Sequence, residues 1–106
     1  MNWYNQKTKN LFGTILLLKN TNEAKKFFRD LLTEKEILEF SNRWQAAQML
    51  EKKISYLKIE KETGLSSTTV ARISKWLNSG KGGYKLMIHR TTHTHRKPRS
   101  PGKGLL

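Results

Sequence analysis

The chain has 106 residues, which suits one small domain and is too short for two. It has no cysteine, so a disulfide framework and a thiolate zinc site are both excluded, and a reducing interior suits it. Twenty-one Lys and Arg against eight Asp and Glu give a net charge of +13, which favours polyanionic partners, nucleic acid before anionic lipid.

Apolar residues recur at helical spacing almost throughout and no stretch alternates for long, so an all-α fold is expected. A first helix is predicted over 3–19, with Leu11, Phe12, Ile15, Leu16, Leu17 and Leu18. These six do not fit one narrow stripe, so the helix needs cover on several sides, and a second copy of the chain is a natural cover. The apolar run LFGTILLL at 11–18 falls short of the ~20 residues of a membrane span, and no small-residue cleavage site follows it. Neither membrane insertion nor a secretory signal is expected.

Asn20 and Glu23 form a capping-box pattern for a second helix, whose buried face is Ala24, Phe27, Phe28, Leu31 and Leu32. Thr33 and Glu36 repeat the pattern, so a third helix begins near Glu34 and runs through Ile37, Phe40, Trp44, Ala47 and Leu50 to about Glu51. Ser55 caps a short fourth helix over 56–63, which ends before Gly64. A fifth runs from Ser67 to Asn78, and Gly80 stops it. The glycine-rich stretch SGKGGYKLMI (79–88) receives no element. Residues 89–106 have almost no apolar content before the last two and contain both prolines. They are expected to form a basic disordered tail beyond a helical domain of 1–88.

The stretch ETGLSSTTVARISKWL (62–77) points to function. Gly64 can adopt the left-handed conformation of a tight turn, Leu65 would point inward and Ser66 can cap the next helix. Val70, Ile73 and Leu77 share one side of that helix, while Thr68, Ala71, Arg72 and Lys75 share the other. Two helices joined in this way make a helix-turn-helix over about 56–78. Its second helix must enter a major groove ~12 Å wide, where small hydroxyl residues and free N–H groups at its start can meet bases or phosphates. Ser67, Thr68, Ala71, Arg72 and Lys75 are the candidate groove contacts. Ser66, Arg96, Lys97 and Arg99 are the candidates for holding the DNA backbone. The charge distribution agrees: residues 54–106 carry 11 basic and 2 acidic side chains, and none is acidic after Glu62.

FFRDLLT (27–33), NRWQAAQML (42–50), TGLSSTTVARI (63–73) and LNSGKGGYKL (77–86) together resemble the Trp repressor superfamily, and most of all its YerC/YecD-like branch. The resemblance spans about residues 10–88. It implies an intertwined, all-helical homodimer presenting two helix-turn-helix units to successive major grooves, and transcriptional regulation, usually repression. A cytoplasmic, nucleoid-associated location follows from that role. In tryptophan-responsive members the amino acid lies between the third helix and the DNA-reading helix. By the resemblance, its pocket falls on Leu32, Thr33, Arg43, Thr69 and Arg72. The glycine that leaves room for the indole falls on Ile73, and a serine that helps to hold the amino group falls on Trp76. Both replacements should fill the cavity, with Trp76 a conceivable built-in substitute, so no tryptophan binding is expected. Tyr56, Leu57 and Glu60 replace polar and basic residues of the fourth helix, so the operator does not transfer. The GGYKLMI segment is expected to replace the final helix of the tryptophan-responsive repressor.

His89, His93 and His95 give H-x3-H-x-H, but no carboxylate or cysteine accompanies them and basic residues surround them, so no metal site or other cofactor is expected. Glu34, Glu36 and Glu39 are explained by a helix start, and no nucleophile–base pair or phosphate loop is present, so no catalytic residue is assigned. Trp3, Trp44 and Tyr84 read as core or interface. The whole points to a sequence-specific double-stranded DNA-binding regulator, a repressor independent of tryptophan. The alternative is a sequence-neutral binder of DNA or RNA.

Overall fold

The first five helix starts in this chain coincide with side chains able to accept an otherwise unpaired N–H. The computed structural model describes residues 1–94, with six α-helices and no strand among them. Asn5 opens α1 (Gln6–Ile15) by accepting from the N–H groups of Lys7 and Thr8. Asn20 opens α2 (Thr21–Leu31) by accepting from the Glu23 N–H at 2.9 Å, while the Glu23 carboxylate accepts from the Lys19 N–H at 3.0 Å. Before α3 (Glu34–Glu51) the box is reciprocal: Thr33 Oγ1 accepts from the Glu36 N–H at 3.1 Å, and Glu36 Oε1 from the Thr33 N–H at 2.8 Å. Ser55 and Ser66 cap α4 (Tyr56–Thr63) and α5 (Ser67–Ser79). The last described element is α6 (Gly83–Thr94).

Two expectations need correction. The first helix is shorter than 3–19, because Asn5 caps it and the N–H groups of Leu17 and Leu18 bond only three residues back, to Thr14 and Ile15. Tighter bonds of this kind unwind the end of an α-helix. The second half of the glycine-rich stretch and the start of the expected tail are helical, since α6 runs unbroken from Gly83 to Thr94. A final helix is therefore present rather than replaced. Tyr84 and Ile88, one turn apart, pack on the core and supply the reason for it to form. The rest of the expected tail, 95–106, lies outside the described residues.

The chain divides into two compact units, Met1–Leu38 and the part from Glu39 on. The first unit has no fully buried residue. Its aromatic contacts are local: Trp3 against Phe12 at 5.6 Å between ring centroids and Phe27 edge-on to Phe28 at 5.5 Å. Leu16 is 84% exposed and Leu17 74%.

The second unit holds the core. Ala46, Ala47 and Met49 of α3, Ile59 of α4, and Val70 and Ile73 of α5 form one buried cluster, flanked by Trp44, Leu50, Ile54, Leu65, Tyr84 and Ile88. The paired alanines Ala46 and Ala47 are both wholly buried. Trp44 stacks on Tyr84 at 6.4 Å and 20°, and Lys85 Nζ reaches Glu51 Oε1 at 2.9 Å. These contacts tie α6 to the α3 segment.

Candidate nucleic-acid interface

The corner between α4 and α5 is built from the backbone outward. Thr63 is buried; its Oγ1 donates to the Ile59 carbonyl at 2.7 Å and accepts from the Leu65 N–H at 3.2 Å. Gly64 has φ 74° and donates its N–H to the Glu60 carbonyl at 2.8 Å. A Cβ there would meet no atom within 4 Å, so backbone conformation alone selects glycine. Leu65 turns toward the core. Gly80 is glycine for another reason, because a Cβ would lie 2.4 Å from the Trp76 carbonyl oxygen.

This corner fixes the rotation of α5. Val70, Ile73 and Leu77 are buried at 0%, 3% and 5% exposure. Ser67, Thr68, Ala71, Arg72 and Lys75 are all exposed. The candidate groove residues therefore share one solvent face, opposite the core stripe.

The four hydroxyls at the start of α5 divide into two pairs. Ser66 Oγ accepts from the Thr69 N–H at 3.1 Å and donates to Thr69 Oγ1 at 3.0 Å. Ser66 is thus the helix cap, with Thr69 half-buried beside it. Ser67 and Thr68 make no side-chain hydrogen bond among the described residues, so their hydroxyls face solvent uncommitted. No acidic residue lies on α5 or α6. On α4, exposed Lys58 and Lys61 add positive charge, although Lys58 lies 3.9 Å from Glu62. Arg96, Lys97 and Arg99 lie outside the described residues.

The candidate effector residues do not form one cluster within a unit. Leu32 and Thr33 belong to the first, where the Thr33 hydroxyl is committed to the α3 cap. In the second unit Ile73 is part of the core and Arg72 is exposed. Arg43 pairs with Glu39 one turn earlier, while its Nε is buried with no partner among the described residues. Trp76 is 51% exposed and, with Trp44, Tyr84, Met87, Thr91 and Lys81, lines an open apolar groove of about 660 Å³. Sequence reasoning missed this groove because α6, which supplies much of it, was not foreseen. The Arg43–Glu39 pair was legible from its i,i+4 spacing.

The Trp repressor protein family matches residues 6–92 of the chain. The chain belongs to that family. It is 39% identical over 90 residues to the uncharacterized protein YerC of Bacillus subtilis (strain 168), a match covering 85% of this chain and 86% of YerC. Among solved structures it is similar to a TrpR-like protein from Eubacterium eligens ATCC 27750, at TM-score 0.82 and 39% identity over 85% of this chain and 93% of that one. It is also similar to a candidate Trp repressor from Staphylococcus aureus, at TM-score 0.75 and 37% identity, covering 79% and 84% of the two chains. The family, the YerC-related branch and the all-α fold expected from the sequence are thereby established. Membership of this family makes the protein a DNA-binding regulator by type. Among the described residues no helix is long and apolar enough to cross a membrane.

Proposed function

We propose that the protein is a homodimeric, sequence-specific reader of double-stranded DNA that represses transcription without requiring tryptophan. The observation that carries this reading is the outer face of α5, where Ser67, Thr68, Ala71, Arg72 and Lys75 stand exposed behind a fully buried stripe. Such a face has the width, the free hydroxyls and the cations that a major groove accepts, and α4 with its glycine corner forms the other half of a helix-turn-helix. Independence from tryptophan is supported by Ile73, whose side chain occupies core space where the tryptophan-responsive relatives have a glycine. A dimer is supported by the large apolar side chains of α1 and its exit that one chain leaves in solvent, among them Phe12, Leu16 and Leu17.

The test is selection from a random duplex library near physiological salt, with and without tryptophan. A two-fold symmetric motif indifferent to tryptophan supports the proposal. Enrichment only with tryptophan would overturn the argument from Ile73. The net charge of +13 favours the sequence-neutral alternative, which predicts retention at low salt and no motif.

A further inference from the structure

The pattern H-x3-H has no fixed geometry in a disordered tail, but on a helix it places two side chains one turn apart on the same face. His89 and His93 both lie on α6 and both are exposed. Their imidazole rings have centroids 4.0 Å apart, inclined at 44°. His93 Nδ1 lies 2.8 Å from the backbone carbonyl oxygen of His89. A carbonyl oxygen only accepts, so Nδ1 carries the proton and Nε2 keeps its lone pair free in the neutral ring. Metal-binding histidines are commonly held in this way, with one nitrogen donating to a carbonyl and the other turned to the ion.

We propose that His89 and His93 form a two-imidazole site for a late first-row divalent cation, Cu²⁺, Ni²⁺ or Zn²⁺. In such a site one nitrogen of each ring would stand ~2.0–2.1 Å from the shared ion. No group of three potential ligands occurs among the described residues, so water completes the coordination and the site stays open. Arg90 lies between the two histidines in sequence and no acidic residue follows Glu62, which makes the site weaker than a structural zinc site. An ion joining successive turns would hold those turns of α6 in register. The assignment rests on α6 alone and stands or falls separately from the DNA reading.

The test is calorimetric titration of the full chain with CuCl₂, NiCl₂ and ZnCl₂, with MgCl₂ as the oxygen-preferring control. Cu²⁺ should bind tightest and Mg²⁺ should not register. His89→Ala and His93→Ala should each weaken binding at least about tenfold, whereas His95→Ala should change it less than about twofold. Both helix positions are exposed, so these variants should keep the fold, which circular dichroism verifies. Unchanged affinity in either helix variant, absence of binding, or a loss confined to His95→Ala would each overturn the assignment.

Discussion

At the scale of single residues, burial separates what α5 does for the fold from what it offers to DNA. Ala71 is exposed and belongs to no core contact, so Ala71→Glu should leave stability within about 0.5 kcal/mol of the parent. The same change puts a negative charge where a phosphate-lined groove would close, which should weaken the selected duplex by roughly 100-fold or more. Fluorescence anisotropy together with urea unfolding separates the two effects, and unchanged duplex binding would show that this face does not meet DNA. Ile59 behaves in the opposite way. It is wholly buried between elements of the second unit, so Ile59→Ala should cost about 2–5 kcal/mol in a urea titration. Any loss of DNA affinity would then follow the loss of folded protein.

At the scale of elements, the corner from Thr63 to Ser66 decides whether α5 is held at the right rotation. Gly64→Ala meets no steric obstacle but must hold a left-handed backbone, so about 1–2 kcal/mol should be lost. Gly64→Asn should recover part of it, because asparagine tolerates that conformation better. Equal unfolding midpoints for Gly64→Ala and the parent would contradict this account. The caps and the glycine corner were legible in the sequence because they are local: Asn20, Thr33, Ser55 and Ser66 each act on an N–H three residues away. The boundaries of α1 and the existence of α6 were not. Asn5 was hidden by an apolar pattern extending beyond the helix it caps, and α6 forms through Tyr84 and Ile88 meeting a core assembled from distant segments. The candidate DNA face was legible as a helical wheel. The mutual bond of Ser66 and Thr69, which leaves only Ser67 and Thr68 uncommitted, required the geometry.

At the scale of the whole molecule, a first unit without a buried side chain is a poor free-standing structure, and a second copy would supply what it lacks. Sedimentation should therefore give twice the 12.4 kDa chain mass, and the thermal midpoint should rise with protein concentration. Replacing Leu16 and Leu17 together by Asp should shift the protein to monomer and lower the midpoint; an unchanged dimer would place the interface elsewhere.

Charge adds a final, separable effect. The segment 95–106 contributes four basic residues and no acidic one, whereas the candidate groove residues all lie on α5 or its cap. Each phosphate neutralised on a duplex steepens the dependence of log K on log salt by about 0.9. A chain ending at Thr94 loses four such charges, eight in a dimer, so its salt slope should become shallower by up to about 7. Its preferred motif should nevertheless be unchanged, because phosphate contacts carry no base information. Measuring affinity for the selected site and a scrambled one across a salt series tests both halves at once. A slope that did not change would remove the segment from the interface. A motif that lost its outer bases would mean that Arg96, Lys97 or Arg99 reads sequence rather than merely holding the backbone.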